Sequence, residues 1–294
     1  MKMINIDHPV GALKTQLGKL LLSVDRVGWE TGATTGRFDN RRTSRMLAGS
    51  ERVFKSRVEV EAVTTAVSII IDMSSSMHSA GQRMPAYRMG QRIVDDDPDS
   101  HNNTRIGVAS QCAYAIATAV ERSNCQVEVN GFKSGGNMFI AKGEGMTGLG
   151  GQTVACKGTR GSEGADVINI KSFSQRTPAR RKAFEYLYHA VSGGTPDYHG
   201  VRTVVEDMSR RTEHRKIVIV VTDGLGDFQA MKQLCEQSEK LFGVTIIALG
   251  VQTERDYMEM AYTRFACVQN VKELTDVAIR ELINQIKSTK VVAE

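Results

Sequence analysis

This chain lacks the means for disulfide chemistry. Its five cysteines, Cys112, Cys125, Cys156, Cys235 and Cys267, are odd in number, widely spaced and contain no C-x-x-C pair. That pattern excludes a disulfide framework and a cysteine-based zinc site. It fits reduced, mostly buried thiols. No apolar run is long enough to span a membrane, and Met1–Asp7 has no apolar signal core, so a cytoplasmic location with no membrane partner is expected. No G-x-x-x-x-G-K-[ST] occurs, which leaves the glycines near 143–164 without a P-loop. No aromatic-rich single-strand motif or DNA-binding signature is present, so nucleic acid is not an expected partner. The acidic run Asp95-Asp96-Asp97-Pro98-Asp99 lacks EF-hand spacing and reads as a solvated loop. No Ser-His-Asp or Cys-His arrangement emerges from the residue order, and no internal repeat is visible.

What is present is an ordinary globular balance. Hydrophobic residues make up 41% and charged residues 24% of 294 positions, enough for one large α/β domain with additions or for two small domains. The net charge of +5 comes from scattered clusters, including Arg41, Arg42 and Arg45, Arg176–Lys182, and Arg210–Lys216. These read as solvated helix faces, with a docking surface for an acidic partner as the alternative.

The hydrophobic pattern alternates strand and helix from about Thr65. Val67–Ile71, Ile217–Val221 and Val244–Leu249 are near-continuous apolar strands, and Val127, Val129 and Phe132 mark another with polar residues between. Ile106, Ala109, Ala113, Ile116, Ala117 and Val120 form a helical stripe. A final helix starts at a capping box, Asn270-Val271-Lys272-Glu273, and runs on through Leu274, Ala278, Leu282 and Ile286. Buried strands separated by amphipathic helices predict an α/β fold, with a doubly wound, mainly parallel sheet covered by helices on both faces. Upstream, residues 8–26 carry a helical stripe, and Trp29–Arg57 reads as hairpin-like structure with a short basic helix near Arg42–Leu47. Residues 1–62 are therefore read as a lead-in extension. Residues 63–294 form the domain, with insertions near 78–103 and 133–165.

In such sheets ligands bind beyond the carboxyl ends of the strands. The strand Val67–Ile71 ends there in Asp72-Met73-Ser74-Ser75-Ser76, a carboxylate and hydroxyls on one turn. Oxygen donors of this kind suit a hard divalent cation, Mg²⁺ above all. A second strand ends in Thr222-Asp223-Gly224, and Gly193-Gly194-Thr195-Pro196 opens a helical segment. Singly, a serine cluster after a strand is a helix cap and T-D-G is a turn. His78, His189 and His199 lie near these motifs and read as surface histidines.

Together, Asp72, Ser74, Ser76, Thr195 and Asp223 resemble the metal-ion-dependent adhesion site of von Willebrand factor A (VWA) domains, which have a Rossmann-like fold. The resemblance implies that these five residues bind Mg²⁺, with Mn²⁺ or Ca²⁺ as alternatives. The hydroxyls would be direct ligands and the two carboxylates would act through water or hydrogen bonds. An acidic residue of a partner protein would then meet the ion. The lead-in segments Arg26-Val27-Gly28-Trp29-Glu30, Gly36-Arg37-Phe38-Asp39, Arg42-Thr43-Ser44-Arg45 and Val53-Phe54-Lys55 are similar to those of the CobT-type subunit of aerobic cobaltochelatase. That subunit is related to the A-domain subunit of magnesium chelatase. The middle glycine of the family's D-x-S-G-S is Ser75 here. This resemblance implies a non-catalytic adaptor beside an AAA+ ATPase of the CobS or MoxR kind, with a large chelatase subunit as a further partner. The alternative is a stand-alone protein-binding module without a motor. A third reading, Mg²⁺-dependent phosphoryl transfer, needs a general base near Asp72 and Asp223 that the sequence does not supply.

Overall fold

The computed structural model describes residues 3–6, 28–58, 64–79, 87–88, 91–92, 101–123, 125–134, 153–155, 164–224 and 226–273. The expected helix at 8–26, the Asp95–Asp99 run, Cys156, most of the glycine-rich stretch and the closing helix beyond Glu273 lie outside the described residues.

Strands β1 (Gly28–Ala33), β2 (Arg37–Phe38) and β3 (Phe54–Val58) form a small antiparallel sheet in the order β1-β3-β2. The short helix α1 (Thr43–Leu47) lies between β2 and β3 in the chain. This is the hairpin-like lead-in with its basic helix. Gly32, at φ +94°, breaks the β1 register and lets the Arg42 guanidinium reach Thr31 Oγ1 at 3.1 Å.

The main sheet begins with β4 (Thr65–Asp72). A two-residue ribbon follows, β5 (Tyr87–Arg88) with β6 (Gln91–Arg92). The remaining strands are β7 (Gln126–Ser134), β8 (Thr153–Ala155), β9 (Ala165–Lys171), β10 (Arg215–Thr222), β11 (Val244–Val251) and β12 (Phe265–Val268). Seven strands pair in the order β12-β11-β10-β4-β7-β9-β8. Pairing is parallel from β12 through β7, and antiparallel where β9 meets β7 and β8. The sheet is thus mainly parallel, as the apolar runs imply. The stretch expected to be an insertion near 133–165 also contributes an edge strand, β8.

Period-two alternation along β4 sorts its side chains onto two cores. Val67, Ile69 and Ile71 pack with Ile106, Ala109, Ala113 and Ile116 of α2 (Arg105–Glu121). Ala66 and Ile70 face the other way. They join Val201, Val204 and Met208 of a later helix, α5 (Asp197–Ser209), and Met231 and Leu234 of α6 (Phe228–Phe242). Between α2 and α5 come the short helices α3 (Arg181–Glu185) and α4 (Leu187–Ala190). After them run α5 (Asp197–Ser209), α6 (Phe228–Phe242), α7 (Arg255–Ala261) and α8 (Val271–Glu273). Each buried Val, Leu or Ile on these faces contributes roughly 1.5–3 kcal/mol, so both sheet faces are held by many such terms.

Two local signals set helix starts. Thr104 Oγ1 accepts the Gly107 amide at 3.1 Å to cap α2. Asn270 Oδ1 accepts the amides of Lys272 and Glu273 and so caps α8, while Glu273 reaches back to the Gln269 amide and the Asn270 side chain rather than to the Asn270 amide of a strict capping box. The described cysteines are free thiols. Cys112 and Cys235 are buried, and burial pushes both thiols up, Cys235 to about 12. No helix among the described residues is long and apolar enough to cross a membrane.

Candidate metal site

Parallel pairing of β4 with β10 sets Ile71 opposite Val221. The two strands therefore end side by side, which puts Asp72 next to Thr222. Thr222 Oγ1 donates to Asp72 Oδ2 at 3.0 Å and accepts the Gly224 amide at 3.1 Å. Gly224 turns the chain away at φ +80°, a conformation that glycine reaches without a Cβ penalty. Asp72 Oδ1 accepts the Ser74 amide at 2.8 Å, folding the D-x-S turn on itself.

Ser74 occupies the cap position of a short 3₁₀ turn, Ser75–His78, yet its side chain makes no capping bond there. Its Oγ lies 2.9 Å from Ser76 Oγ instead. The simplest alternative for the serine cluster, a helix cap, is therefore not what these hydroxyls do. They sit as a pair beside Asp72.

The third segment is tied in through main-chain bonds. The Ser75 amide donates to Gly193 O at 2.9 Å, the Ser192 amide to Met73 O at 2.9 Å, and the Ser134 amide to Gly194 O at 3.2 Å. Gly193 sits at φ +79°, and a Cβ there would lie 2.3 Å from Ser134 Oγ. The glycine pair thus lets the loop press against β7. Half-buried Thr195 follows, and after Pro196 helix α5 begins. All three sequence segments thus converge on one edge of the sheet.

Electrostatics distinguishes the two carboxylates. Asp72 and Asp223 are 0% and 1% exposed. Burial, and then the negative charge of Asp223, push the Asp72 carboxyl up to about 7, against the pull of hydrogen bonds from Ser74 and Thr222. Asp223 has a cation of its own, since Arg105 Nη1 donates to its Oδ2 at 2.9 Å. Asp72 has no ion pair among the described residues. The edge is therefore short of positive charge.

This donor set fits a hard cation. Its oxygens are carboxylates and hydroxyls, the ligands that Mg²⁺ and its relatives take. Among the described residues no three His, Cys, Asp or Glu side chains gather as a cage. An imidazole or thiolate site for a softer metal is accordingly not formed there.

Three residues at this edge are not picked out by sequence pattern. Arg105 opens α2, and the tight turn before it depends on Gly107, where a Cβ would lie 2.0 Å from His101 O. Thr222 was visible only as part of T-D-G. Asp197, buried at the start of α5, accepts the amides of Tyr198 at 2.8 Å and Asp227 at 3.1 Å. It thereby clasps the helix after Thr195 to the loop after Asp223. Gly226 lies so close that a Cβ there would be 2.0 Å from Asp197 Oδ2. Burial raises the Asp197 carboxyl above its ordinary value. The one sequence-level hint was its place as an acidic residue in a first helical turn. Asp197→Ala removes the acceptor of two partly buried amides and is expected to destabilise the fold by about 1–2 kcal/mol in urea denaturation.

His78 departs from its reading as a surface histidine. It is half-buried, with Nε2 2.8 Å from Tyr188 O and its ring 4.8 Å from that of Tyr188. The ring of buried His101 lies tilted against the same tyrosine, with centroids 3.8 Å apart. The reason is packing, because the turn after Ser76 is folded back against α4. His189 is exposed on α4, and half-buried His199 lies on α5 with its ring 5.3 Å from that of Tyr198.

A family model described as "Cobalamin biosynthesis protein CobT VWA domain" matches residues 86–288, more than half of the chain. The match begins after Asp72–Ser76. No curated protein matches the sequence. Solved structures of similar chain path include BatB from Bacteroides thetaiotaomicron, 13% identical with a TM-score of 0.43, covering 76% of this chain and 99% of that one. The PilB minor pilin from Streptococcus sanguinis is 12% identical with a TM-score of 0.47, over 80% of this chain and 63% of its own. Proximal thread matrix protein 1 from the mussel byssus, solved with a zinc-occupied MIDAS motif, is 13% identical with a TM-score of 0.44, over 76% and 46%.

Proposed function

Because the chain belongs to the family of CobT VWA domains, we propose that it is a Mg²⁺-binding adaptor of an AAA+ ATPase complex. In this reading it passes ATP-driven remodelling to a target protein through its metal edge. One observation carries the proposal. A fully buried carboxyl, Asp72, lies beside paired serine hydroxyls and a second carboxylate, and the only ion pair described there is taken by Asp223. A buried charge without a partner is costly, and a bound cation removes that cost.

Ser74, Ser76 and Thr195 would supply neutral hydroxyls to the ion, with Asp72 and Asp223 as its charged neighbours. When bound, Mg²⁺ supplies an under-neutralised centre that takes a carboxylate oxygen from a partner. The chain's own residues hold that centre in shape. Thr222 and the Ser74 amide orient Asp72, Arg105 fixes Asp223, and Gly193 O anchors the D-x-S turn. The neutral hydroxyl set is what leaves the centre short of negative charge. Binding of an acidic partner, on the ATPase or on a large chelatase-type subunit, follows from that shortage.

The test is co-purification of the full chain with its ATPase in Mg²⁺, in EDTA, and as Asp72→Ala. The expected result is a loss of association of about tenfold or more in both perturbed cases, in line with removal of a charge-assisted contact. Unchanged association after both treatments would overturn the proposal. Stable capture of a single partner without ATPase activity would select the stand-alone module instead.

A further inference from the structure

At the other end of the sheet from the metal edge lies a cavity of about 200 Å³, far more than one water needs. It opens on the face covered by α5. Its floor comes from the early part of β7 and the late part of β9, and its rim from the last turns of α5 and from Phe173 and Arg211. Ser68 on β4 is joined to this floor and lies roughly 13 Å back along the strand from Asp72.

The floor is polar where a sheet face under a helix is ordinarily apolar. Asn169 Nδ2 donates to Asn130 Oδ1 at 2.8 Å, Asn130 Nδ2 to Ser68 Oγ at 3.3 Å, and Ser68 Oγ to Glu128 Oε1 at 2.8 Å. The chain of donors runs in one direction and ends on a carboxylate. A row of this kind fixes one arrangement of the floor and leaves its carboxylate end at the cavity.

The balance of charge at the cavity is negative. Glu128 has no ion pair among the described residues. Among the described residues, Asp207 pairs with the exposed Arg210, at 3.2 Å. The nearby cation Lys171 is engaged elsewhere, with its ammonium on Val127 O, Ser172 O and Glu121. Burial, and to a smaller extent the charge of Asp207, raise the Glu128 carboxyl above its ordinary value, against hydrogen bonds from Ser68 and Asn130 and the charge of Arg211. Among the described residues, the one cation lining the cavity, Arg211, is engaged within the chain. The Arg211 guanidinium lies 3.7 Å from the centroid of the Phe173 ring and pairs with Glu213.

We propose that this cavity binds a small organic cation, an alkylguanidinium or alkylammonium group. The carboxylates of Glu128 and Asp207 and the amide oxygen of Asn169 receive its N–H donors. The group is carried either by a free small molecule or by an arginine or lysine side chain of another protein. The inference does not depend on the metal edge.

Calorimetric titration of the full chain in EDTA tests it with three probes: agmatine, its neutral urea analogue, and a capped glycine-flanked arginine peptide. Agmatine or the peptide is expected to bind and the urea analogue not. Glu128→Gln and the surface variant Asp207→Asn should each weaken binding by about tenfold, the loss of one charged hydrogen bond. Asp72→Ala should leave it unchanged. Tighter binding of the peptide points to a protein side chain, and tighter binding of agmatine to a free ligand. If Glu128→Gln does not fold, Asp207→Asn decides. Absence of binding by both cationic probes, equal binding of the urea analogue, or unaltered affinity in the folded variants would overturn the proposal.

Discussion

Asp72→Asn is expected to make the metal-free protein more stable and to abolish its response to Mg²⁺. The two halves of that result have one cause. Ionised Asp72 is buried beside Asp223 without a cation of its own. Holding the proton from the ordinary 3.8 up to about 7 means that ionisation costs the folded state on the order of 4 kcal/mol. Asparagine removes this cost with nearly the same shape. Its oxygen still accepts the Ser74 amide, and its amide group donates to Thr222 Oγ1. Urea denaturation at about pH 8 in EDTA should show a gain of a few kcal/mol, bounded by that figure. In the wild type, Mg²⁺ at about 100 times its dissociation constant should add about 2.7 kcal/mol. In Asp72→Asn that increment should vanish. A destabilised variant, or one that Mg²⁺ still stabilises fully, contradicts the account of Asp72 as a carboxylate kept for a cation.

The second large effect is on pH. Between the unfolded value of Asp72, near 3.8, and its folded value of about 7, the native state holds a proton that the unfolded chain has lost. Stability therefore falls as pH rises through that window, by roughly 4 kcal/mol in total, and is level above it. Asp197 and Glu128, both raised by burial, act in the same direction. Glu213 is held low by Arg211, and Glu239 by Arg264 and Thr245 against its burial; both act oppositely, at lower pH. Denaturation midpoints across pH 4–8 in EDTA should trace this decline. Saturating Mg²⁺ should flatten it, because the ion then takes the place of the proton. A metal-free profile that rises through the window would refute the assignment.

The contrast between what pattern disclosed and what it did not has a physical basis. β4, β10 and β11 were legible because strands buried on both faces are written as unbroken apolar runs. The convergence of Asp72 with Asp223 was legible because both follow such runs. The Asn270 cap was legible because its chemistry is local. β9 and β8 were not, since β9 reverses direction at the end of a glycine-rich stretch and β8 is held by pairing to it. Arg105 meets Asp223 across 118 positions of sequence, and no periodicity connects the two. Asp197 looked like an ordinary first-turn acid until Asp227 arrived from 30 residues away. His78 looked like loop surface because its partner, Tyr188, is 110 residues on. The missed features are therefore long-range polar contacts, which depend on how the elements dock.

The bonds that draw the Gly193–Gly194 loop onto the D-x-S turn run between backbone amides and carbonyls. No substitution at Ser74, Ser76 or Thr195 removes them. The frame of this edge and the ligands it displays are consequently separable properties. Replacing one hydroxyl with a carboxylate would alter ion preference and partner charge while leaving the frame standing. Such a scaffold can be re-addressed to new partners by single-residue change, without first having to learn to fold again.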